Sequence, residues 1–466
     1  MARSLARTLL VCSLLVHCNK PAAPAPAAAA PAAAATAAAA QAGDNGVPAM
    51  CAASQKRCGQ LSQCLVAPLK NTAAAIPARP CTFEDGQDFV DIYSWNIFIA
   101  LNWPAATASC DADTTKNILN VRSGDGTFVT WQTYMPGENV FVNPGTQRPA
   151  QWCSGNSLVA GAQRVFNNEA KASPAAKRLG HAFASIAEPG GDVLQASGDV
   201  VTDQAGRWLR FERLMNKKEY DYIIPDRWNA LQLQAIQNAG KEIVLPAGVI
   251  EIKSAWKVLT PAEINSNRYF TTQGIVCNTP GGTRTPCDAQ PVTMGLVGLH
   301  IVHQTSDGGT MFWSTFEQVD NERIFSNPKF IGPDNTDFAN TPYQELDANC
   351  KPLNQPTQIK RSNPIPSSPA LNRYYQGLLG QSVFANYQLI STQWTTGAGS
   401  SAFGTPLNLA NITLETYVQC NSTSEGSGNS STGCFSCHYR SETIIPGQSG
   451  GHSFFFIEAQ YPTMAK

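Results

Sequence analysis

The sequence predicts an α+β chain: an antiparallel, β-rich core with helices near both ends and a C-terminal segment packed on the main domain. Three observations predict it. Met294 to His303 alternates with period two and is apolar on both sides, as a central buried strand requires. Asp307-Gly308-Gly309 then turns the chain into Met311 to Glu317, a second strand that completes a hairpin. Tyr93 to Trp103 instead has helical apolar spacing and stops at Pro104.

Of 466 residues, 43% are hydrophobic and 14% charged, enough apolar material for a large core. A formal net charge of −1 leaves no basic face for nucleic acid. The low charge density, with 36 Gly and 31 Pro, reads as a loop-rich extracytoplasmic domain.

The chain divides into five parts. Residues 1–18 read as a signal peptide: Arg3 and Arg7 precede the apolar run Leu9 to Val16, too short to span a bilayer. Leu15-Val16-His17-Cys18 looks like a lipobox, with Cys18 as the lipidated residue; His17 departs from the small residue expected there, and plain cleavage is the alternative. Residues 19–48 are an Ala/Pro-rich linker that proline holds extended. Residues 49–90 are a Cys-rich disulfide segment, 91–420 the main domain and 421–466 a C-terminal attachment segment. No later stretch is long and apolar enough to cross a membrane, so membrane contact is expected only through a lipid on Cys18. The expected location is the periplasm or the outer membrane.

Within the main domain, 126–131, 206–212, 219–224 and 249–256 suit β structure. In the hairpin strand, Leu296, Gly298, His300 and Val302 share one face, and Val297, Leu299, Ile301 and His303 the other. Residues 325–370 read as a surface excursion, and 372–392 as a helix with Tyr375, Leu378, Leu379 and Val383 on one side.

Fourteen cysteines sort by context. Cys12 lies in the signal and Cys18 is the lipid candidate. Cys51, Cys58, Cys64 and Cys81 are expected to pair among themselves, Cys277 with Cys287 across a turn-rich segment, and Cys110, Cys153, Cys350 and Cys420 to be structural as well.

The remaining two stand in Cys434-Phe435-Ser436-Cys437-His438. Two thiols at this spacing can add to the two vinyl groups of a porphyrin, and the following imidazole reaches the iron from the same side. The expected cofactor is therefore one covalent haem c on Cys434 and Cys437, with His438 as the proximal iron ligand. Two alternatives stand beside it: a redox dithiol, and a zinc site in which His452 adds to Cys434, Cys437 and His438. The distal iron position has three candidates, His300, His452 and Met464; the other mature-chain histidines are His181 and His303, and the further methionines include Met294 and Met311. Only 28 residues follow His438, so earlier parts of the chain must complete the pocket, with Trp95, Phe98, Trp103 and the 372–392 helix as candidate walls.

Several segments together resemble uncharacterised bacterial cytochrome c family proteins: 98–104, 295–302, 313–321, 386–390, 413–419 and the CxxCH, spanning Tyr93 to His438. The resemblance implies haem c and electron transfer as a class, without a defined substrate. Only the CxxCH is specific.

Three functions follow as expectations. The first is an exported mono-haem electron carrier that serves redox partner proteins. The second is a haem-dependent oxidoreductase of peroxidase or oxygenase type with an open distal site; the third is a zinc-stabilised lipoprotein binding module. No HExxH, GxSxG or phosphate-binding Gly loop adds another chemistry, and Glu317 and Asp320 read as solvated surface residues.

Overall fold

The β-rich expectation resolves into an open sheet of eight strands, beside which the described residues form a two-stranded and a three-stranded sheet. The computed structural model describes residues 51, 64–67, 69–80, 87–106, 108–154, 201–274, 291–305, 311–322, 359, 361, 365–394, 406, 409–415, 433–435, 438–439 and 441–463, and the backbone alone at 164–166, 275–276, 338–340, 357–358 and 436–437. All belong to one compact unit, 44–466. The expected signal, Cys12, Cys18 and the linker lie outside the described residues, as do Cys58, Cys81, Cys277, Cys287, Cys350, Cys420 and most of the 325–370 excursion. Among the described residues no helix is long and apolar enough to cross a membrane.

The strands of the eight-stranded sheet are β1 (Met135–Pro136), β2 (Arg164–Phe166), β3 (Arg210–Met215), β4 (Ile250–Val258), β5 (Thr271–Val276), β6 (Val292–Gln304), β7 (Met311–Gln318) and β8 (Tyr387–Trp394). Their order is β8-β7-β6-β4-β3-β1; β5 also pairs with β6, and β2 runs parallel to β5. All other pairs are antiparallel, and the expected hairpin is β6–β7, with Val302 opposite Trp313 and His300 opposite Thr315. The class is α+β, an open sheet with helices.

One face carries α1 (Gln87–Leu101), buried from Val90 to its end. A helix that is apolar all round belongs inside, and its few polar groups must find partners there. Ser94 Oγ meets Ser314 Oγ at 2.7 Å, Asn96 Oδ1 accepts from Tyr375 at 2.9 Å, and Asp91 accepts from Ser367 Oγ at 2.6 Å. Tyr93 hydrogen-bonds His303 Nδ1. Trp95 stacks on Tyr375 at 5.1 Å and Phe98 on Phe316 at 4.2 Å, so these rings knit α1 to α5 (Pro369–Leu379) and β7.

The alternation in β6 is broken once. Ala255 faces Gly298 but Trp256 faces Leu296, so Val297 is an extra residue. This bulge puts Leu296 on the α1 side with Leu299 and Ile301, and leaves Val297 in a different cluster. It corrects the expectation that Leu296 shares a face with His300 and Val302. Gly298 is required beside the bulge, because a Cβ there would lie 2.1 Å from Thr413 Oγ1.

Other expectations also fail, for local reasons. Residues 219–224 belong to α2 (Lys217–Ile223), where the Asn216 side chain caps the Glu219 N–H and overrides the β preference of Tyr220, Tyr222 and Ile223. Residues 126–131 make a single bridge at Val129 and enter a 3-10 turn at Thr130. Strand 206–212 is shifted to 210–215. The helix read from 372 to 392 is α5 only; Gly380, at φ +59°, ends it, and Tyr387 onward is β8.

Glu317 is not solvated either. It is fully buried and pairs through Oε2 with Arg361 Nη2 at 2.6 Å, while Oε1 accepts the Ile412 N–H at 2.9 Å. Asp320 pairs with Arg268 at 2.7 Å. Two disulfides join Cys51 to Cys64, inside the expected cluster, and Cys110 to Cys153.

Candidate functional site

The C-terminal segment covers the sheet face opposite α1. Its anchor is α6 (Cys434–His438), whose Phe435 N–H donates to Gln393 Oε1 on β8 at 2.7 Å. Gly433 must be small there, since a Cβ would meet the Gln393 side chain at 2.4 Å. After His438 the chain doubles back: Glu442 bridges Ser449, and Gln448 Nε2 donates to Leu233 O at 3.1 Å on α3 (Ala230–Asn238). This excursion returns His452 to His438.

The return is held by backbone conformation. Gly451 sits at φ +63°, where a Cβ would lie 2.7 Å from Ile243 O, and His452 at φ +73° is among the few non-glycine residues in this region. His438 Nδ1 then lies 2.6 Å from the His452 carbonyl oxygen, and His452 Nδ1 lies 3.4 Å from the His438 carbonyl.

A carbonyl oxygen only accepts, so His438 Nδ1 carries the proton. Burial lowers the His438 pKa to about 4, against the raising effect of the His452 carbonyl; nearby His452, His300 and Lys253 lower it further. At neutral pH the ring is therefore uncharged, and its lone pair is on Nε2. A metal-binding imidazole is commonly prepared in this way, with Nδ1–H on a carbonyl and Nε2 as the donor atom.

Aromatic rings enclose the imidazole. Phe454 packs edge-on at 4.9 Å, Trp313 of β7 lies at 5.8 Å, and Phe435 lies 5.7 Å from Trp313. Trp313 is 2% exposed, yet its Nε1 has no partner among the described residues. Tyr439 continues the cluster outward, 5.6 Å from Phe435 and 55% exposed. The expected walls Trp95, Phe98, Trp103 and α5 do not line this site. They belong to the core on the α1 side, because strand alternation turns Phe312 and Phe316 towards α1 and Trp313 away from it.

Of the expected ligands, Cys434 is buried beside Phe435, and the Cys437 side chain, His181 and Met464 lie outside the described residues. His452 is brought to His438, but through main-chain carbonyls. His300 lies on the same sheet face, with Nε2 3.1 Å from Glu415 Oε1. His303 points to Tyr93, while Met294 and Met311 sit in two different apolar clusters. Among the described residues no three His, Cys, Asp or Glu side chains converge as a metal site.

The donor set present fits haem c on its proximal side: a buried thiol one turn before a neutral imidazole with Nε2 as base, inside an aromatic shell. Trp313 and Phe454 were missed from sequence. Trp313 was within reach of the hairpin register, which sets it opposite Val302 and so on the face of His300. Phe454 carries no sequence signal, because only the fold-back after α6 brings it in.

No protein family, characterised protein or solved structure matches the chain.

Proposed function

We propose that this chain is an exported mono-haem c-type cytochrome, with haem bound covalently by Cys434 and Cys437, His438 as its proximal ligand, and electron transfer to partner proteins as its task. The observation that carries the reading is His438 itself: neutral, partly buried, with Nδ1 committed to the His452 carbonyl and Nε2 left as the donor. When bound, haem supplies a one-electron couple. The chain's own part is to fix the imidazole's orientation and to surround it with Trp313, Phe435 and Phe454, which keep water away. Tyr439 offers an exposed aromatic edge next to that shell for an incoming redox protein. Lipidation at Cys18 and placement in the periplasm or at the outer membrane belong to the same proposal.

Expression with haem-maturation machinery tests it. The expected result is haem that stays with the polypeptide after denaturation, a low-spin spectrum, and loss of covalent haem in Cys434→Ala and Cys437→Ala. A chain that carries no haem under these conditions would sink the proposal. The second reading, a haem-dependent oxidoreductase, is favoured by the His300–Glu415 pair on the same sheet face, an acid–base couple that a plain carrier does not need. A high-spin ferric spectrum with peroxide-dependent oxidation would select it.

A further inference from the structure

Beneath the fold-back that holds His438 lies a group of carboxyls with almost no counter-charge. Glu219 of α2 and Glu251 of β4 are buried, and Ser453 Oγ lies 3.4 Å from Glu219 Oε1. The two lie close enough for the Glu251 charge to act on Glu219, and Glu219 Oε2 and Glu251 Oε1 are buried with no hydrogen-bond partner among the described residues. Two ionised carboxylates have acceptors only, so a proton must be shared between them.

The surroundings do not neutralise the pair. Arg213 of β3 is the nearest cation, and Glu458 of the C-terminal segment already takes it at 2.6 Å. Glu138, in the 3-10 turn after β1, lies within reach of the Glu458 charge and adds a further carboxyl. Along the same sheet face, Lys253 of β4 leans over the Phe211 ring at 5.2 Å and His300 of β6 faces Glu415. On α2 itself, Lys217 is taken by Asp221. Burial raises Glu219 well above the ordinary glutamate value and Glu251 to about 7.

The connection to the proposed redox site is short. Ser453, which touches Glu219, follows His452, whose carbonyl accepts from His438 Nδ1. A charge added at the site is felt at the pair across one peptide unit and one serine, in surroundings where water screens little.

We propose that Glu219 and Glu251 form a proton-accepting pair that couples proton uptake to electron transfer at the His438 site. The inference rests on the haem reading. An electron arriving from a one-electron donor protein is matched by one proton from solvent, which takes the pair from one bound proton to two; when the electron leaves for the acceptor, that proton returns to solvent. Ser453 positions the Glu219 carboxyl relative to the His452 loop.

The test is redox titration of the full-length, haem-loaded protein across pH 5 to 9. The expected midpoint potential falls as pH rises through neutrality, approaching one proton per electron, and Glu251→Gln abolishes the slope with the optical spectrum unchanged. Infrared difference spectra between the oxidised and reduced protein should show a carboxylic acid band that Glu251→Gln removes. Glu219→Gln and Ser453→Ala provide second variants, with a reduced slope expected from Ser453→Ala. A loaded protein whose potential is flat with pH would overturn the pair's role while leaving the haem reading intact; so would a slope that survives Glu251→Gln and Glu219→Gln, which would assign the proton to the haem carboxylates. A protein with no haem would fail at the earlier step.

Discussion

His300 Nε2 stands 3.1 Å from Glu415 Oε1, and the Asn411–Glu415 loop that supplies the carboxylate rests on Gly298 of the same strand. The ring atom through which a histidine usually reaches a metal is thus turned to a carboxylate. His300→Ala is expected to leave the ferric and ferrous spectra of the haem-loaded protein unchanged. A shift of its low-spin bands would make His300 an iron ligand.

The Arg361–Glu317 pair should behave as a buried ion pair. Arg361→Met strands a carboxylate in the interior and is expected to cost about 3–5 kcal/mol in chemical denaturation. The double variant with Glu317→Met should recover most of that loss, since neither charge then needs a partner. Equal losses in the single and double variants would mean the pair is not coupled.

Asp91 should make stability fall with rising pH. Burial pushes its pKa from 3.8 to about 7, against the lowering effect of hydrogen bonds from Ser367 and Gln87. Between these values the unfolded chain has lost a proton that the folded chain still holds. Stability therefore drops as pH rises across that window, by on the order of 3 kcal/mol, and levels off above it. Denaturant titrations of Asp91→Asn at pH 4.5 and pH 8 should lack this contribution.

Gly451→Ala tests the fold-back. The new Cβ would collide with Ile243 O, and the backbone would be strained at positive φ. A loss of about 1–3 kcal/mol is expected. In NMR titration of the haem-free protein, the His438 pKa should move from about 4 towards the ordinary histidine value as burial loosens, an effect larger than the loss of the raising His452 carbonyl contact.

The Cys110–Cys153 disulfide links positions 43 residues apart and closes a loop that contains the buried Trp131. Cys110→Ser with Cys153→Ser should cost about 2–4 kcal/mol in urea melts, by restoring freedom to the unfolded chain.

The central hairpin was legible because both periodicity and turn chemistry are local, and Met294 to Glu317 carries both. Residues 219–224 were misread because one capping side chain, Asn216, outweighs four β-favouring residues. Residues 372–392 were misread because helical spacing continues past Gly380 although the backbone does not. At the candidate site, CxxCH located Cys434 and His438 on one short helix. The sequence could not reveal that His452 serves through its carbonyl, since that depends on positive φ at two consecutive residues. Nor could it exclude Trp95 and Phe98 as walls: they lie on α1, and which face of the sheet a helix covers is not encoded in its own spacing.

That single extra residue has a consequence for how the chain tolerates change in length. Removing Val297 while the Gly298–Gln304 pairing holds would set Leu296 in regular register beside Gly298, still opposite Trp256, so Met294 and Leu296 would keep their places in the aromatic core. The strand thus reads as two independent words joined by a one-letter spacer. Variation in the first half leaves the phase of His300 untouched, whereas drawing Val297 into the ladder opposite Trp256 would turn that half inside out.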